Sequence, residues 1–220
     1  MAQPGDSGFL RLFPLQSTVL FPGMELPLVV FEPRYLQLTQ ECLEANEPFG
    51  VVLLSAGPEV GEKTSDPFKI GTTARIASSG SAGQGRLSVN AVGGDRFRAL
   101  SFSNEFPYLS AEVEYLADTT AEAVEPSLVE RVKDDAISLV RAMTARRGGF
   151  SQDISLSDDP ATLSYEIAQL FQGNAPVQQR LLERETLERL SEERALLRTA
   201  MEQMARRSRR DGPGPTFSPN

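Results

Sequence analysis

The side chains that most often carry enzymatic chemistry are scarce in this chain. Its 220 residues include no histidine and a single cysteine, Cys42. Without an imidazole, the sequence offers neither a serine–histidine nor a cysteine–histidine pair, and it lacks the usual zinc ligands. Cys42 shares a predicted helical stripe with Leu38, which is typical of a small buried core residue rather than of a reactive thiol. One cysteine also excludes an intramolecular disulfide bond.

Two carboxylate pairs and one glycine-rich segment are the remaining candidates for chemistry. Asp134–Asp135 and Asp158–Asp159 resemble metal-binding pairs, but adjacent residues on a helix point about 100° apart. Asp159 also precedes a proline, as a helix cap does, so we favour solvated or capping roles. The segment GSAG at 80–83 lies between two predicted strands and is interpreted as a hairpin tip. The sequence also lacks a GxxxxGK[ST] phosphate-binding loop, and it predicts no catalytic residue, metal or cofactor.

The charge distribution disfavours nucleic acid as the main partner. The formal net charge is −8 and the isoelectric point is about 4.8. The basic cluster RRSRR at 206–210 has two interpretations: a contact with RNA or an acidic protein, or favourable charge at the end of a helix. We favour the second interpretation and keep RNA binding as the alternative function.

The lack of a recognisable targeting or membrane segment predicts a soluble, cytoplasmic protein. The first residues, MAQPGDSG, lack the charged and apolar regions of a signal peptide. No stretch approaches the roughly 20 apolar residues that a membrane helix needs. We therefore expect no membrane partner.

The most distinctive stretch is VLFPGMELPLVVFEPRY, residues 19–35. Its prolines and glycine exclude one continuous helix or strand. Pro22-Gly23 predicts a tight turn, and Pro33 predicts the first turn of a helix that runs to about residue 46. The alternating apolar residues at 26–30 predict an extended segment that is buried on both sides.

The chain divides into a strand-rich part and a helical part. About six strands are predicted between residues 9 and 116, with a turn at Gly93-Gly94-Asp95 between two of them. Helices are predicted from 126 to a stop at Gly148-Gly149, from 160 to about 172, and from 176 to about 208. The seam of the last helix either packs on the preceding helices, which we favour, or forms a homodimer. The protein is thus expected to be a monomer or a homodimer through this helix.

Taken in order, five segments resemble the N-terminal, substrate-binding domain of Lon protease. They are VLFPGMELPLVVFEPRY, FGVVLL, IGTTARI, RLSVNAVGGDRFRAL and PYLSAEVEYL. The helical segments LSYEIAQLF and QQRLLERETLERL extend the resemblance over roughly residues 9 to 205. It implies a free-standing form of that domain with an α+β fold: a PUA-like β pseudo-barrel at 9–117, a helical bundle at 118–208 that contains a long C-terminal helix, and a disordered tail at 209–220.

The resemblance implies a non-catalytic module that binds unfolded or exposed apolar polypeptide segments, with a role in protein quality control or proteolysis. Val29 stands where family members often have histidine, so no role here depends on that imidazole. For the core of the 19–35 stretch we predict Leu26, Leu28, Val30 and Phe31. The candidate binding residues are Phe21 and Met24, as an exposed apolar patch beside the turn, and Arg34 and Tyr35, as hydrogen-bond donors. Arg34 has a second interpretation, a surface ion pair with Glu32.

Overall fold

The protein has a mixed α+β fold in which strands precede most of the helices. The computed structural model describes residues 5–55, 66–118, 123–146 and 154–210, with side chains described as far as Arg206. The elements in chain order are β1 Ser7–Leu15, β2 Glu25–Val30, α1 Pro33–Ala45, β3 Phe49–Leu53, β4 Ile70–Ser81, β5 Leu87–Ser103, β6 Ser110–Tyr115, α2 Pro126–Arg146, α3 Pro160–Ala168, α4 Ala175–Glu183 and α5 Thr186–Arg210. A 3-10 turn, Gln169–Phe171, follows α3.

The strands form one sheet that closes on itself. Their order is β2-β5-β4-β3-β1-β6, and β5 pairs with β6 as well. The β1–β3 pair is parallel and the other pairs are antiparallel. Five strands therefore close into a small barrel, and β2 is attached to β5 as an edge strand. The expected α+β architecture is confirmed.

The predicted turn at Gly93-Gly94-Asp95 is wrong, because β5 runs through these residues as one long strand. A Cβ atom on Gly93 would lie 2.1 Å from the carbonyl oxygen of Phe21, and one on Gly94 would lie 2.6 Å from Oγ1 of Thr73. The two glycines therefore permit a close approach of neighbouring chain rather than a reversal of direction.

The predicted Pro22-Gly23 turn is present and is anchored on β5. The Met24 N–H donates to the Phe21 carbonyl at 3.0 Å, and Gly23 has a φ of 76°, which suits glycine. Gly93 fixes this turn in place, because its carbonyl accepts from Gly23 and its N–H donates to the Met24 carbonyl, both at 2.9 Å.

Strand β2 is buried on one face only, so the expectation of burial on both sides is wrong. Leu26 and Val30 are buried and Leu28 is partly buried, whereas the residues between them are exposed. The cause is that this antiparallel part of the sheet meets the core with one face only, and the side chains on its outer face are exposed. Phe31 continues the outer face and is 65% exposed, so its predicted place in the core is also wrong.

Helix α1 closes one side of the barrel core. Its buried residues are Tyr35, Leu38, Thr39 and Cys42. Cys42 is 1% exposed, and burial raises the pKa of its thiol to about 11. The prediction that Cys42 is a core residue is confirmed.

Helices α2, α3 and α5 pack together through one apolar cluster. It contains Val129, Val132, Ala136 and Leu139 of α2, Leu163 and Ile167 of α3, and Leu190 and Leu197 of α5. Arg194 of α5 also pairs with Asp135 of α2 at 3.2 Å. The seam of α5 therefore packs within the chain, although Leu187 at its start is 43% exposed.

The last predicted helix is broken in two. Helix α4 ends at Glu183, Arg184 has an extended backbone with φ −81° and ψ 151°, and α5 begins at Thr186. The expectation of one continuous helix from 176 to 208 is therefore wrong. The break leaves the carbonyl oxygens at the end of α4 without helical partners, and two buried arginines bind them.

These arginines are Arg96 of β5 and Arg189 of α5. Arg96 donates to the carbonyl oxygens of Leu182 at 3.0 Å and of Arg184 at 2.9 Å. Arg189 donates to those of Leu181 at 3.0 Å and of Arg184 at 2.8 Å. Both guanidinium groups are almost fully buried, so the carbonyl oxygens replace the water that the cations have lost.

Asp118 supplies the negative charge beside the two arginines. Its carboxylate lies 2.9 Å from Arg96 and 3.4 Å from Arg189, and it accepts a 2.5 Å hydrogen bond from the Tyr165 hydroxyl. The Arg189 guanidinium also lies 4.0 Å from the centroid of the Tyr165 ring. We call Arg96, Asp118, Tyr165 and Arg189 the arginine cluster. It joins the strands to the helices near residue 117. The division into two domains at this residue stays a prediction.

Several expectations fall on the edges of the described chain. The helix stop at Gly148-Gly149 and most of the predicted tail, from residue 211 on, lie outside the described residues. The backbone of α5 continues to Arg210, two residues into the segment predicted as tail. Among the described helices, none is both long and apolar enough to cross a bilayer.

Candidate functional site

An open cleft lies where β2 passes into α1. It has a volume of about 380 Å³ and is bordered by the end of β2, the start of α1, the last residues of β1 and Leu54 after β3. The lining residues are Phe13, Pro14, Leu15, Gln16, Leu28, Val29, Val30, Phe31, Glu32, Arg34, Tyr35 and Leu54. We call this the first cleft.

Two apolar side chains at the first cleft are strongly exposed. Val29 is 56% exposed and Phe31 is 65% exposed, which are high values for residues of these types. Both lie on the outer face of the β2 segment, two positions apart, so they point the same way. Together they give the cleft an apolar rim that is open to a partner.

The aromatic rings of Phe13 and Tyr35 stack beneath this rim. Their centroids are 4.3 Å apart and their planes are inclined by 24°. Both residues are 9% exposed, and burial raises the pKa of the Tyr35 hydroxyl. Tyr35 therefore lines the cleft mainly as a part of the core that supports it, and its predicted hydrogen bond to a bound chain stays a prediction.

Arg34 lies at the mouth of the cleft and is already paired. Its Nε donates to Oε2 of Glu32 at 2.8 Å, and its Nη2 lies 2.7 Å from the same oxygen. Its guanidinium is 4.6 Å from the centroid of the Tyr35 ring. The ion pair with Glu32, one of the two interpretations of Arg34, is the arrangement observed. Because both side chains are about half exposed, the pair contributes only about 0–1 kcal/mol, and Arg34 can exchange it for a contact with a ligand.

Met24 borders a second cleft at the other end of β2. This cleft has a volume of about 360 Å³ and is lined by Ser17, Thr18, Val19, Met24, Glu25, Leu26, Pro27, Gln172, Gly173 and Gln178. Met24 is partly buried and packs against two of the apolar clusters. The predicted binding residues are therefore not all brought to one place.

The prediction for Phe21 is the one that differs most clearly from the structure. It is 0% exposed and packs with Tyr165 of α3, with ring centroids 6.2 Å apart. Its predicted exposure beside the turn is wrong, because the helical part covers this side of the Pro22-Gly23 turn. A side chain in this position does not reach a bound polypeptide directly.

The carboxylate pairs have structural roles. Asp158 pairs with Lys133 at 2.6 Å, and Asp159 caps α3 by accepting from the Thr162 N–H at 2.8 Å. Asp135 pairs with Arg194, as described above. Among the described residues, no group of three or more cysteine and acidic side chains is placed to hold a metal ion.

The two remaining candidate segments are GSAG at 80–83 and the basic cluster at 206–210. The GSAG segment lies at the end of β4 and in the connection to β5, which confirms the hairpin interpretation. The basic cluster at 206–210 lies at the end of α5, and its side chains beyond Arg206 are outside the described part of the chain. The alternative of RNA binding therefore stays a prediction.

Sequence reasoning missed the two exposed apolar residues of the site, Val29 and Phe31. The sequence pattern predicts Phe31 as a core residue and places Val29 in a segment that is buried on both sides. The available signal was the alternation at 26–30 itself, because a strand with Leu26 and Val30 on its inner face must place Val29 and Phe31 on the outer one. The run of apolar letters concealed that period.

Comparison with known proteins places residues 10–198 in the profile of the ATP-dependent protease La (LON) substrate-binding domain. Lon protease 2 of Myxococcus xanthus is 33% identical over 117 residues, which are 53% of this chain and 14% of that protein. The chain spans less than a quarter of the length of the first curated relatives it matches.

Solved structures support the same relationship. A Lon N-terminal domain protein from Xanthomonas campestris superposes with a TM-score of 0.64 at 26% identity, over 84% of this chain and 96% of that one. The N-terminal domain of Lon protease from the Mycobacterium avium complex shares the fold, with a TM-score of 0.59 at 15% identity, over 90% of this chain and 98% of the other.

Proposed function

Because this chain belongs to the family of the ATP-dependent protease La (LON) substrate-binding domain, we propose that it is a non-catalytic module that binds exposed apolar segments of polypeptides in the first cleft. The matched family supports a polypeptide as the substrate class. The cleft supports apolar segments as the part of the polypeptide that is bound.

The observation that carries the proposal is the exposed pair Val29 and Phe31 at the rim of the first cleft. Covering a Phe side chain of this kind with an apolar partner gains about 1.5–3 kcal/mol. Leu28 and the Phe13–Tyr35 stack continue the apolar surface inward. Arg34 adds a cation that a carboxylate or a backbone carbonyl of the bound chain would attract.

The wider role is part of the same proposal. The relatives are Lon proteases, and this chain matches only a small part of their length. We propose that it acts in the cytoplasm in protein quality control, as a recognition module that supplies binding rather than peptide hydrolysis. Whether the bound chain then reaches a protease depends on partners with ATPase and peptidase activity.

The experiment is a titration of a permanently unfolded polypeptide, followed by fluorescence anisotropy. Reduced, carboxymethylated and fluorescein-labelled lactalbumin is a suitable probe because it cannot refold. We expect Phe31→Asp to weaken binding by about tenfold to a hundredfold, since the charge removes the apolar contact. Phe31 is a better position than Met24, because Met24 also packs in the core.

Leu100→Asp is the matched control. Leu100 is 55% exposed on β5 and does not line either cleft, so its substitution adds the same charge elsewhere. Circular dichroism verifies that both variants are folded. Absence of binding by the wild-type protein, or an equal loss in the two variants, would refute the proposal.

A further inference from the structure

The backbone of β2 has one edge that is already paired and one that is not. In the register of β2 with β5, Leu26 lies opposite Ala91 and Leu28 opposite Val89. The Gly93 N–H donates to the Met24 carbonyl at 2.9 Å, at the start of the same register. Since hydrogen-bonded pairs alternate along an antiparallel ladder, the even-numbered residues of β2 direct their backbone groups at β5.

The odd-numbered residues of β2 therefore direct their backbone N–H and carbonyl groups away from β5. Glu25 and Val29 each present an N–H and a carbonyl there, whereas Pro27 presents a carbonyl only. Within the described part of the chain, β5 is the strand that pairs with β2, and β2 is the last strand of the sheet. These groups form what we call the free edge of β2.

The two clefts follow this free edge from one end to the other. Residues 24–27 line the second cleft and residues 28–31 line the first. Neither cleft is lined by a residue of β5, so both lie on the side of β2 that faces away from its paired neighbour. A chain lying along β2 on that side would occupy both clefts in turn.

We infer that the bound polypeptide is held as an added β-strand on the free edge of β2. This inference rests on the proposed function and deepens it by stating the form in which the polypeptide is bound. Main-chain hydrogen bonds to Glu25, Pro27 and Val29 hold any extended sequence, and the rim at Val29 and Phe31 selects among sequences. The preferred segments are extended, free of proline, and apolar at every second position.

Pro27 sets a limit on this edge. Proline on an edge strand discourages the edges of two copies from pairing, because the ladder lacks a donor at that point. It leaves the donors of Glu25 and Val29 for a ligand, on either side of the interruption. The edge is thus suited to a short and reversible contact rather than to a continuous intermolecular sheet.

The test uses substitutions that change the backbone of the free edge and spare the ladder to β5. Val29→Pro removes an N–H that β5 does not use, and Val29→Thr is the matched control that keeps the N–H and the side-chain shape. With unfolded lactalbumin as the probe, we expect Val29→Pro to bind about fivefold to tenfold more weakly than Val29→Thr. Pro27→Ala restores a donor and is expected to bind more tightly than the wild-type protein.

A second measurement leaves the protein unchanged. A short synthetic peptide of alternating valine and threonine, with lysine at each end, is N-methylated at one internal amide at a time. Strand addition predicts that methylation weakens binding at every second position, because only alternate amides of the peptide face β2. This readout holds even if Val29→Pro does not fold.

The outcomes separate the two proposals. If the wild-type protein binds no unfolded polypeptide, the proposed function fails and this inference fails with it. If Phe31→Asp abolishes binding while Val29→Pro equals Val29→Thr and methylation shows no alternation, the function stands and strand addition is overturned. Strand addition is also overturned if sedimentation shows that Val29→Pro affects only self-association, since the free edge would then pair with a second copy.

Discussion

Glu193 of α5 is a buried carboxyl group whose burial is only partly compensated by a nearby cation. It is 0% exposed, and neither of its carboxyl oxygens has a hydrogen-bond partner among the described residues. Burial raises the pKa of this carboxyl well above its usual value, and the nearby cation of Arg189 offsets the effect only in part. Glu193 is therefore protonated in the folded protein at pH values where it is ionised in the unfolded chain.

This difference predicts a stability that falls as the pH rises. Between the unfolded pKa of about 4.3 and the higher folded value, the folded state holds a proton that the unfolded state has lost. The contribution of Glu193 is fully present below that window and is lost across it, by at most about 1.4 kcal/mol per pH unit. Urea denaturation of the wild-type protein and of Glu193→Gln across this window measures the effect.

We expect Glu193→Gln to have a flatter pH profile and a higher free energy of unfolding near neutral pH. The control is Glu202→Gln, which changes an exposed residue on the same helix and is expected to retain the wild-type slope. Equal slopes for Glu193→Gln and the wild-type protein would show that Glu193 does not carry a raised pKa.

At the level of residues, composition limited the chemistry open to the chain but did not locate the site. The absence of histidine and the single buried cysteine were sufficient to argue against most catalytic arrangements. The exposure of individual side chains was harder to predict, since Phe21 and Phe31 both have apolar neighbours in the sequence. The first is covered by α3, which lies far along the chain, and the second is left uncovered at the sheet edge.

Among the elements, β5 depends on the glycine at position 93. A Cβ atom at Gly93 would lie 2.1 Å from the Phe21 carbonyl oxygen, which belongs to the backbone and cannot rotate away. Gly93→Ala must therefore displace the Pro22-Gly23 turn and the start of β2. We expect a loss of about 1–3 kcal/mol in the free energy of unfolding, measured by urea denaturation.

Gly80→Ala is the matched control for this prediction. Gly80 lies at the exposed end of β4, its Cβ would have no neighbour within 4 Å, and its φ is not in the left-handed region. Its substitution is expected to change stability by no more than about 0.5 kcal/mol. If both alanine variants were equally stable, the close approach at Gly93 would not constrain the fold.

The elements also show where sequence patterns are ambiguous. Adjacent glycines followed by aspartate are typical of a turn, and only the neighbouring chain reveals that here they permit contact within a strand. The sequence has no proline or glycine at the break between α4 and α5 that would predict it. At this break, Arg96 binds the carbonyl oxygens of the chain, although Arg96 lies on a strand more than eighty residues earlier. Local helix propensity cannot predict such a distant contact.

At the scale of the whole molecule, the arginine cluster holds the helices against the barrel. Arg96 belongs to β5 and Arg189 to α5, and Asp118 lies between the two parts of the chain. This attachment covers Phe21 and brings Gln172 and Gln178 to the second cleft. The strand and helical parts thus contribute together to the surface beside β2.

The family was predictable from the order of the segments, which the match over residues 10–198 bears out. The location of the site was not predictable, because the stretch at residues 19–35 serves two purposes. Its inner face builds the core through Leu26 and Val30, and its outer face presents Val29 and Phe31. An apolar run does not state which of its residues will remain uncovered.

Photo-crosslinking tests the central proposal, polypeptide binding at the first cleft, most directly. Phe31 is replaced by p-benzoylphenylalanine in one variant and Phe106 in another. Phe106 is a suitable reference because it is an aromatic residue that is 42% exposed and lines neither cleft. We predict that unfolded lactalbumin crosslinks to the protein through position 31 and not through position 106. Equal crosslinking at the two positions, or crosslinking at 106 alone, would contradict the account.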